Sequence, residues 1–278
     1  MTTYLRPRDL AEALETRAAR PDWMVLAGGT DLMVTAHHKP EPAGILDLWR
    51  CAPLCFVLAE SGRLSIGAGT TWLEVENHPE IQRTWSPLAA AAREIGALQI
   101  QARGTLGGNV GTSSPVGDSL PVLLALDAEL EVASVRGSRT VPYREWCTGY
   151  RTTKLAPDEL IIAAHIPAPD RRTRTTWRKI GTRRAQSISK VMGAAAITID
   201  GGVIASARVA LGAVANRPIR IAAVEDSVRG LTPEKAAEAA RAALRSAIQP
   251  IDDIRSTASY RLAVAENLVA RFFSPMIA

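Results

Sequence analysis

The 278-residue chain is poor in cysteine and histidine, and each scarcity closes a class of chemistry. Three cysteines, Cys51, Cys55 and Cys147, are too few for a disulfide framework. Cys51 and Cys55 stand in a C-x₃-C spacing with no second pair and no histidine nearby. A zinc or iron–sulfur centre draws on about four ligands, so no metal site is expected on this chain, and the cysteines read as small buried residues. No run of about 18 apolar residues is present, so no membrane span is expected. The opening MTTYLRPRDLAEALE has no apolar stretch of the signal-peptide kind, which makes the cytoplasm the expected compartment. No G-x-G-x-x-G, P-loop or G-x-S-x-G motif occurs, which leaves Rossmann, P-loop and nucleophile-elbow readings without support. His78 and His165 have no sequence neighbours that suggest a metal or triad pattern, and His37 and His38 read as solvated loop residues. No catalytic residue is assigned.

What is present is ordinary globular material: 47% apolar and 22% charged residues, enough to bury a core and too apolar for disorder. The net charge of +5 is local. Arg171, Arg172, Arg174, Arg178, Lys179, Arg183, Arg184 and Lys190 lie in 21 residues without an acid and outnumber the whole excess. Such a patch suits a specific anion or a partner surface better than a nucleic-acid footprint, so no nucleic acid is expected.

Hydrophobic periodicity predicts helices over 8–19, 86–98, 119–126, 233–247 and 257–273. The last carries Leu262, Ala265, Val269 and Phe272 as its buried stripe. Strands are expected over 23–27, 45–48, 64–68, 129–135 and 159–166, with a hairpin of 193–199 and 203–212 turning near Asp200-Gly-Gly202. The break at Pro167-Ala-Pro-Asp170 predicts a domain boundary near 170.

Two glycine loops carry the chemistry. In the first, a strand runs into Gly28-Gly29-Thr30-Asp31, where backbone N–H groups can converge on a diphosphate without a β-carbon in the way. The second, 104–118, has five glycines in fifteen residues, interleaved with Thr105, Asn109, Thr112, Ser113 and Ser114, and is costly to order without a ligand. It is expected to be a loop. Asp118 closes it, either as the cap of the following helix or as an acceptor for ligand hydroxyls.

AGGTDLM at 27–33, GTLGGNVGTSSPVGDSLPVLLALDAELEVAS at 104–134 and YRLAVAENLVARFF at 260–273 resemble the FAD-binding medium subunit of the molybdenum hydroxylases, the xanthine dehydrogenase and carbon monoxide dehydrogenase family. KIGTRRAQSISKV at 179–191 is similar to the bacterial xanthine dehydrogenase subunits. The resemblance implies an α+β fold. A two-part FAD-binding domain of the vanillyl-alcohol-oxidase (PCMH) type would occupy 1–170, split near 55, with a small α+β C-terminal domain over 171–278. FAD would be noncovalent. Val25, Leu26, Ala27, Gly28, Gly29, Thr30, Asp31 and Leu32, with Thr105, Leu106, Gly107, Gly108 and Asn109, would wrap its diphosphate. Thr112 and Asp118 would touch the ribityl or flavin-proximal part, Ile161 would line the pocket, and Lys179 would stand near the cofactor. The resemblance further implies a large subunit with a molybdenum cofactor and a small subunit with [2Fe–2S] clusters, in a heterotrimer or its dimer. FAD would pass electrons from the clusters to NAD or another acceptor. A self-contained FAD-dependent oxidoreductase of the same superfamily is the alternative.

Overall fold

The computed structural model describes residues 2–36, 38 and 40–274. The first layer is a parallel sheet in which Gly44–Asp47 lies between Thr3–Leu5 and Met24–Leu26. The helix Leu10–Ala19 covers it, started by Asp9, whose carboxylate accepts the Glu12 N–H at 2.9 Å.

The second layer is an antiparallel sheet in the order Val57–Glu60, Arg63–Gly67, Leu160–Pro167, Glu129–Ser134, Gly137–Pro142. Its central strand, Leu160–Pro167, changes face partway. Leu160 and Ile162 join the core under the N-terminal sheet, whereas Ala164 and Ile166 join the core on the opposite side. A β-bulge between Ile161 and Ala163 makes the change, because one extra residue reverses which side chains point to which face.

The third layer is the antiparallel sheet Thr173–Ile180, Val191–Asp200, Val203–Gly212 and Ile219–Arg220. Ala195, Ile197, Val209 and Leu211 face a core closed by the helices Ala222–Ser227, Pro233–Arg245 and Ala258–Phe273. The other face, with Trp177, Ala194, Ala196 and Ala210, packs on the core that holds the helix Leu120–Ala125, all six of whose residues are buried. Strand alternation places Lys179 on the face of Trp177, toward the start of that helix.

Several expectations are corrected. The helix predicted over 86–98 ends at Arg93, and a separate turn of helix, Leu98–Gln101, follows. Gly96 lies between them at φ +59°, a left-handed conformation that stops an α-helix. The basic run contains the strand Thr173–Ile180, whose Thr and Trp pattern its charges hide in the sequence. Residues 218–224, which the sequence offers as either a third strand or a connector, divide into the strand Ile219–Arg220 and the start of the helix Ala222–Ser227.

Glu159, buried at the mouth of the central strand, accepts Arg139 Nε and Nη2 at 2.7 Å each and the Ala156 N–H at 2.8 Å. The Arg139 hydrogen bonds hold its carboxyl below the usual carboxylate range. A depressed carboxyl adds stability above its unfolded pKa and loses it as pH falls through the folded one. Arg139→Met is expected to cost about 1 kcal/mol at pH 7, the guanidinium being partly solvated, and to flatten the acid limb of stability against pH. Urea midpoints from pH 3 to 7 check this; parallel curves for the two proteins would refute it.

Candidate functional site

The two glycine segments, 75 residues apart in sequence, touch. A β-carbon added to Gly28 would lie 1.7 Å from the Arg103 carbonyl oxygen and 3.1 Å from Gly104 Cα. On Gly104 it would lie 3.3 Å from the Thr30 hydroxyl. Gly29, at φ +75°, turns the chain so that the Met33 N–H closes on its carbonyl at 2.9 Å and starts the short helix Leu32–Ala36. The N–H groups of Gly28, Gly29, Thr30 and Asp31 donate no hydrogen bond among the described residues. Asp31 is held outward by Arg151 at 2.9 Å, and the Arg103 guanidinium stacks 3.8 Å from the Trp49 ring centroid.

The second segment is not the loop expected from its glycines. Leu106–Thr112 is a helix, capped by the Thr105 hydroxyl, which accepts the Gly108 N–H at 3.0 Å. The Leu106 and Gly107 N–H groups donate to Thr70 and Ala68 carbonyls at 3.0 and 2.8 Å. The helix presses so closely on this turn that a β-carbon on Gly107 would stand 2.7 Å from Ala68 Cβ. The glycine content therefore serves close packing on one side. On the other, Gly108 and Gly111 are exposed and leave bare backbone, with Gly111 3.5 Å (from its added β-carbon) from Ile161 Cδ1. Asn109 Oδ1 accepts the Ser119 hydroxyl at 2.6 Å, and Thr112 is half-buried near the helix end.

At the far end of this segment the Asp118 carboxylate faces inward. Its side chain is 9% exposed and pairs with Lys179 Nζ at 2.6 Å, while Ser189 donates to its other oxygen at 2.5 Å. Trp177 Nε1 donates to its carbonyl at 3.0 Å. Lys179, 4% exposed, also donates to the Glu94 carbonyl at 2.9 Å. Burial pushes the Asp118 carboxyl above the usual range, and the Lys179 ammonium offsets part of that rise. Asp118 is thus an internal acceptor rather than a helix cap. It opens onto a cavity of about 320 Å³ lined also by Gly96, Ile100, Val116, Ser187 and Ile188. Val116 lies in the 104–134 motif and Ser187 and Ile188 in the 179–191 motif; Gly96 and Ile100 lie outside both, and the local signal there is Gly96, since a glycine inside an apolar helical pattern marks a break.

The basic run is dispersed rather than gathered into one patch. Arg172 pairs with Asp170 and Asp200, and Arg174 donates to the carbonyls of Phe272 and Ser274. Lys179 is buried, and Arg183 folds back on the carbonyls of Ala185 and Gln186. His165, read as isolated, lies between Ser65 Oγ at 2.8 Å and Glu131 Oε2 at 3.0 Å across three adjacent strands. His37 lies outside the described residues. Among the described residues, no group of three or more His, Cys, Asp or Glu is placed to hold a metal, and no helix is long and apolar enough to cross a membrane.

Residues 1–169 match the family described as the FAD binding domain in molybdopterin dehydrogenase, and 177–276 match the CO dehydrogenase flavoprotein C-terminal domain. The xanthine dehydrogenase FAD-binding subunit of Escherichia coli O157:H7 is 31% identical over 99% of this chain and 96% of its own. The nicotinate dehydrogenase FAD-subunit of Eubacterium barkeri is 31% identical over 74% of this chain and 71% of its own. A solved carbon monoxide dehydrogenase from Hydrogenophaga pseudoflava superposes with a TM-score of 0.92 at 27% identity, covering 97% of this chain and 95% of that one. The two domain matches together span nearly the whole chain, and the Escherichia coli relative is covered almost end to end: the chain belongs to the FAD-binding medium subunits of the molybdenum hydroxylase family.

Proposed function

We propose that this chain holds FAD in a xanthine dehydrogenase-like molybdenum hydroxylase and works with two partners. A large subunit would carry the molybdenum cofactor and a small subunit the [2Fe–2S] clusters, assembled as a heterotrimer or its dimer in the cytoplasm. When bound, FAD supplies the exchange between single electrons from the clusters and a two-electron acceptor, NAD or another. The observation that carries this reading is the contact of Gly28 with Arg103 and Gly104 beside four unclaimed amide donors. Successive backbone N–H groups, two of them on glycines without a β-carbon, suit an anion such as a diphosphate.

Val25 and Leu26 deliver the turn, Ala27 to Leu32 form its wall, and Thr105 to Asn109 form the wall opposite. Gly108 and Gly111 let the cofactor approach bare backbone, with Thr112 beside them and Ile161 beneath Gly111. Asp118 accepts hydroxyls of the ribityl chain where the cavity opens. Lys179 serves the cofactor at one remove, donating to Asp118 and holding it in place from behind. The division at 170, with a subdomain split near 55, is our assignment of the working units.

FAD titration of the purified chain tests the reading, and Gly108→Val sharpens it. An added β-carbon at Gly108 meets only the Thr105 hydroxyl, at 3.1 Å, and valine is the better helix former. The variant is expected to keep its melting temperature within about 2 °C, and to lose FAD affinity by roughly tenfold or more, about 1.4 kcal/mol. Unchanged affinity would remove the second segment from the site. The isolated chain is expected not to oxidise xanthine, and turnover should appear on mixing with both partners. Xanthine oxidation by the chain alone would favour a self-contained flavoenzyme.

A further inference from the structure

The motif over 260–273 lies on the C-terminal helix, and the FAD assignment above gives it no task. Arg261, in its first turn, is only 2% exposed. Its Nη1 donates to the carbonyls of Lys190 at 3.1 Å and Ala213 at 2.8 Å, and its Nη2 pairs with Asp253 Oδ1 at 2.7 Å. Its Nε is buried without a hydrogen-bond partner among the described residues. A guanidinium so placed is costly, and an apolar side chain of similar volume would seal the core at less cost. Packing alone does not account for it.

The two carbonyls it holds belong to the segments that fix Asp118. Lys190 ends the 181–190 segment, and its neighbour Ser189, fully buried, donates to Asp118 Oδ1 at 2.5 Å. The Lys190 ammonium sits 4.9 Å from the ring centroid of Tyr260, so adjacent residues of one helix hold Lys190 by its carbonyl and its side chain. Ala213 is left-handed at φ +63°, a strained conformation for a residue with a β-carbon. Its carbonyl accepts Arg261, and its N–H donates to the Pro115 carbonyl at 2.8 Å, three residues before Asp118. One guanidinium therefore bridges the chain leading into Asp118 and the chain carrying the serine that orients it.

We propose that Arg261 is a positioning residue for the Asp118 end of the cofactor site, holding Ser189 and Pro115 at the spacing that lets Asp118 receive FAD. The inference rests on the FAD assignment above. Arg261 acts not by touching the ligand but through two backbone carbonyls.

The full chain is compared with Arg261→Lys and Asp253→Asn. Lysine keeps the charge but lacks the fork that spans two carbonyls and a carboxylate. FAD affinity is measured by fluorescence titration well below each apo melting temperature, together with the absorption band shape of the bound flavin. Hydrogen exchange is followed in peptides covering 181–191 and 203–212. Arg261→Lys is expected to weaken FAD at least tenfold, to alter the flavin band shape and to speed exchange in 181–191 while 203–212 stays protected. Asp253→Asn, which leaves Arg261 in place but releases one arm, is expected to shift the same readouts about threefold. Wild-type affinity and band shape in both variants, even with lowered melting temperatures, would reduce Arg261 to a scaffold residue and overturn the proposal. If Arg261→Lys does not fold, Asp253→Asn decides alone: an unchanged affinity with unchanged exchange in 181–191 overturns it. Failure of the wild-type chain to bind FAD would instead overturn the FAD assignment and this inference with it.

Discussion

Gly28→Val is expected to abolish FAD binding, with Kd rising at least ~100-fold, about 2.8 kcal/mol. The steric ground is direct. A β-carbon at this position would lie 1.7 Å from the Arg103 carbonyl oxygen and 2.5 Å from its carbon, both backbone atoms. No side chain can swing away to make room, so the two glycine segments must part. Overpacking of this kind costs about 1–3 kcal/mol of stability. The larger effect falls on binding, because a shift of about 1 Å between converging groups removes most of their joint action. Gly28→Ala is expected to show most of the same loss, since the β-carbon alone makes the collision. Gly108→Val is the control in the opposite direction: Gly108 is exposed, and its substitution is expected to disturb the cofactor and not the fold. Isothermal titration with FAD, beside thermal melts of the apo proteins, separates the two. Near-normal affinity in Gly28→Ala would mean that the contact of the segments has no part in the cradle.

The first segment was legible because its chemistry is local: a strand, a turn and adjacent glycines stand in consecutive residues. The second was singled out by its glycines, but its structure was not legible. Five glycines in 104–118 argue against a helix, yet Leu106–Thr112 is one, because the Thr105 cap and the Thr70 and Ala68 carbonyls satisfy its first amides. Thr70 and Ala68 lie more than thirty residues upstream, and no local propensity shows them. Of the fold, the long periodic helices Pro233–Arg245 and Ala258–Phe273 and the hairpin through Gly201 and Gly202 stand where the pattern placed them. The strand Thr173–Ile180 was hidden by charge, since Arg174, Arg178 and Lys179 find their partners in other elements or in solvent.

Asp118 shows the same limit from the other side. Its position before Ser-Leu-Pro suits an N-cap, yet its carboxylate meets Lys179 and Ser189, some 60 and 70 residues away. Alternation along Thr173–Ile180 turns Lys179 toward it only once that segment is known to be a strand whose Trp177 face packs on the buried helix Leu120–Ala125. The cavity residues around Gly96 and Ser187 come together through that same packing and leave no trace in sequence spacing.

The Asp118–Lys179 pair carries the largest expected effect on stability. Lys179→Met keeps the aliphatic length and removes the ammonium, which leaves a carboxyl 9% exposed with Ser189 as its remaining side-chain donor. Breaking a buried pair from one side costs about 3–5 kcal/mol, because the other charge stays buried without compensation. The pH dependence has a definite sign. Burial already holds the Asp118 carboxyl above its usual range, and losing Lys179 removes the opposing influence. A carboxyl whose folded pKa exceeds its unfolded one binds its proton more tightly in the folded state. The stability this adds is full below the unfolded pKa and is lost as pH rises through the folded one. Lys179→Met should therefore lie nearest the wild type at acidic pH and fall away toward neutrality. The double variant Asp118→Asn with Lys179→Met has no charge to strand and should regain about 2 kcal/mol or more at pH 7, with a flat profile relative to the single variant. On the proposed role of Asp118 it should not regain full FAD affinity, since the amide presents one acceptor oxygen where the carboxylate presents two. Guanidinium unfolding of the three proteins from pH 5 to 8, with FAD titrations at pH 7, reads both halves. A Lys179→Met variant within about 0.5 kcal/mol of wild type across that range would show that water replaces the ammonium and that the pair is not the buried strut its geometry describes.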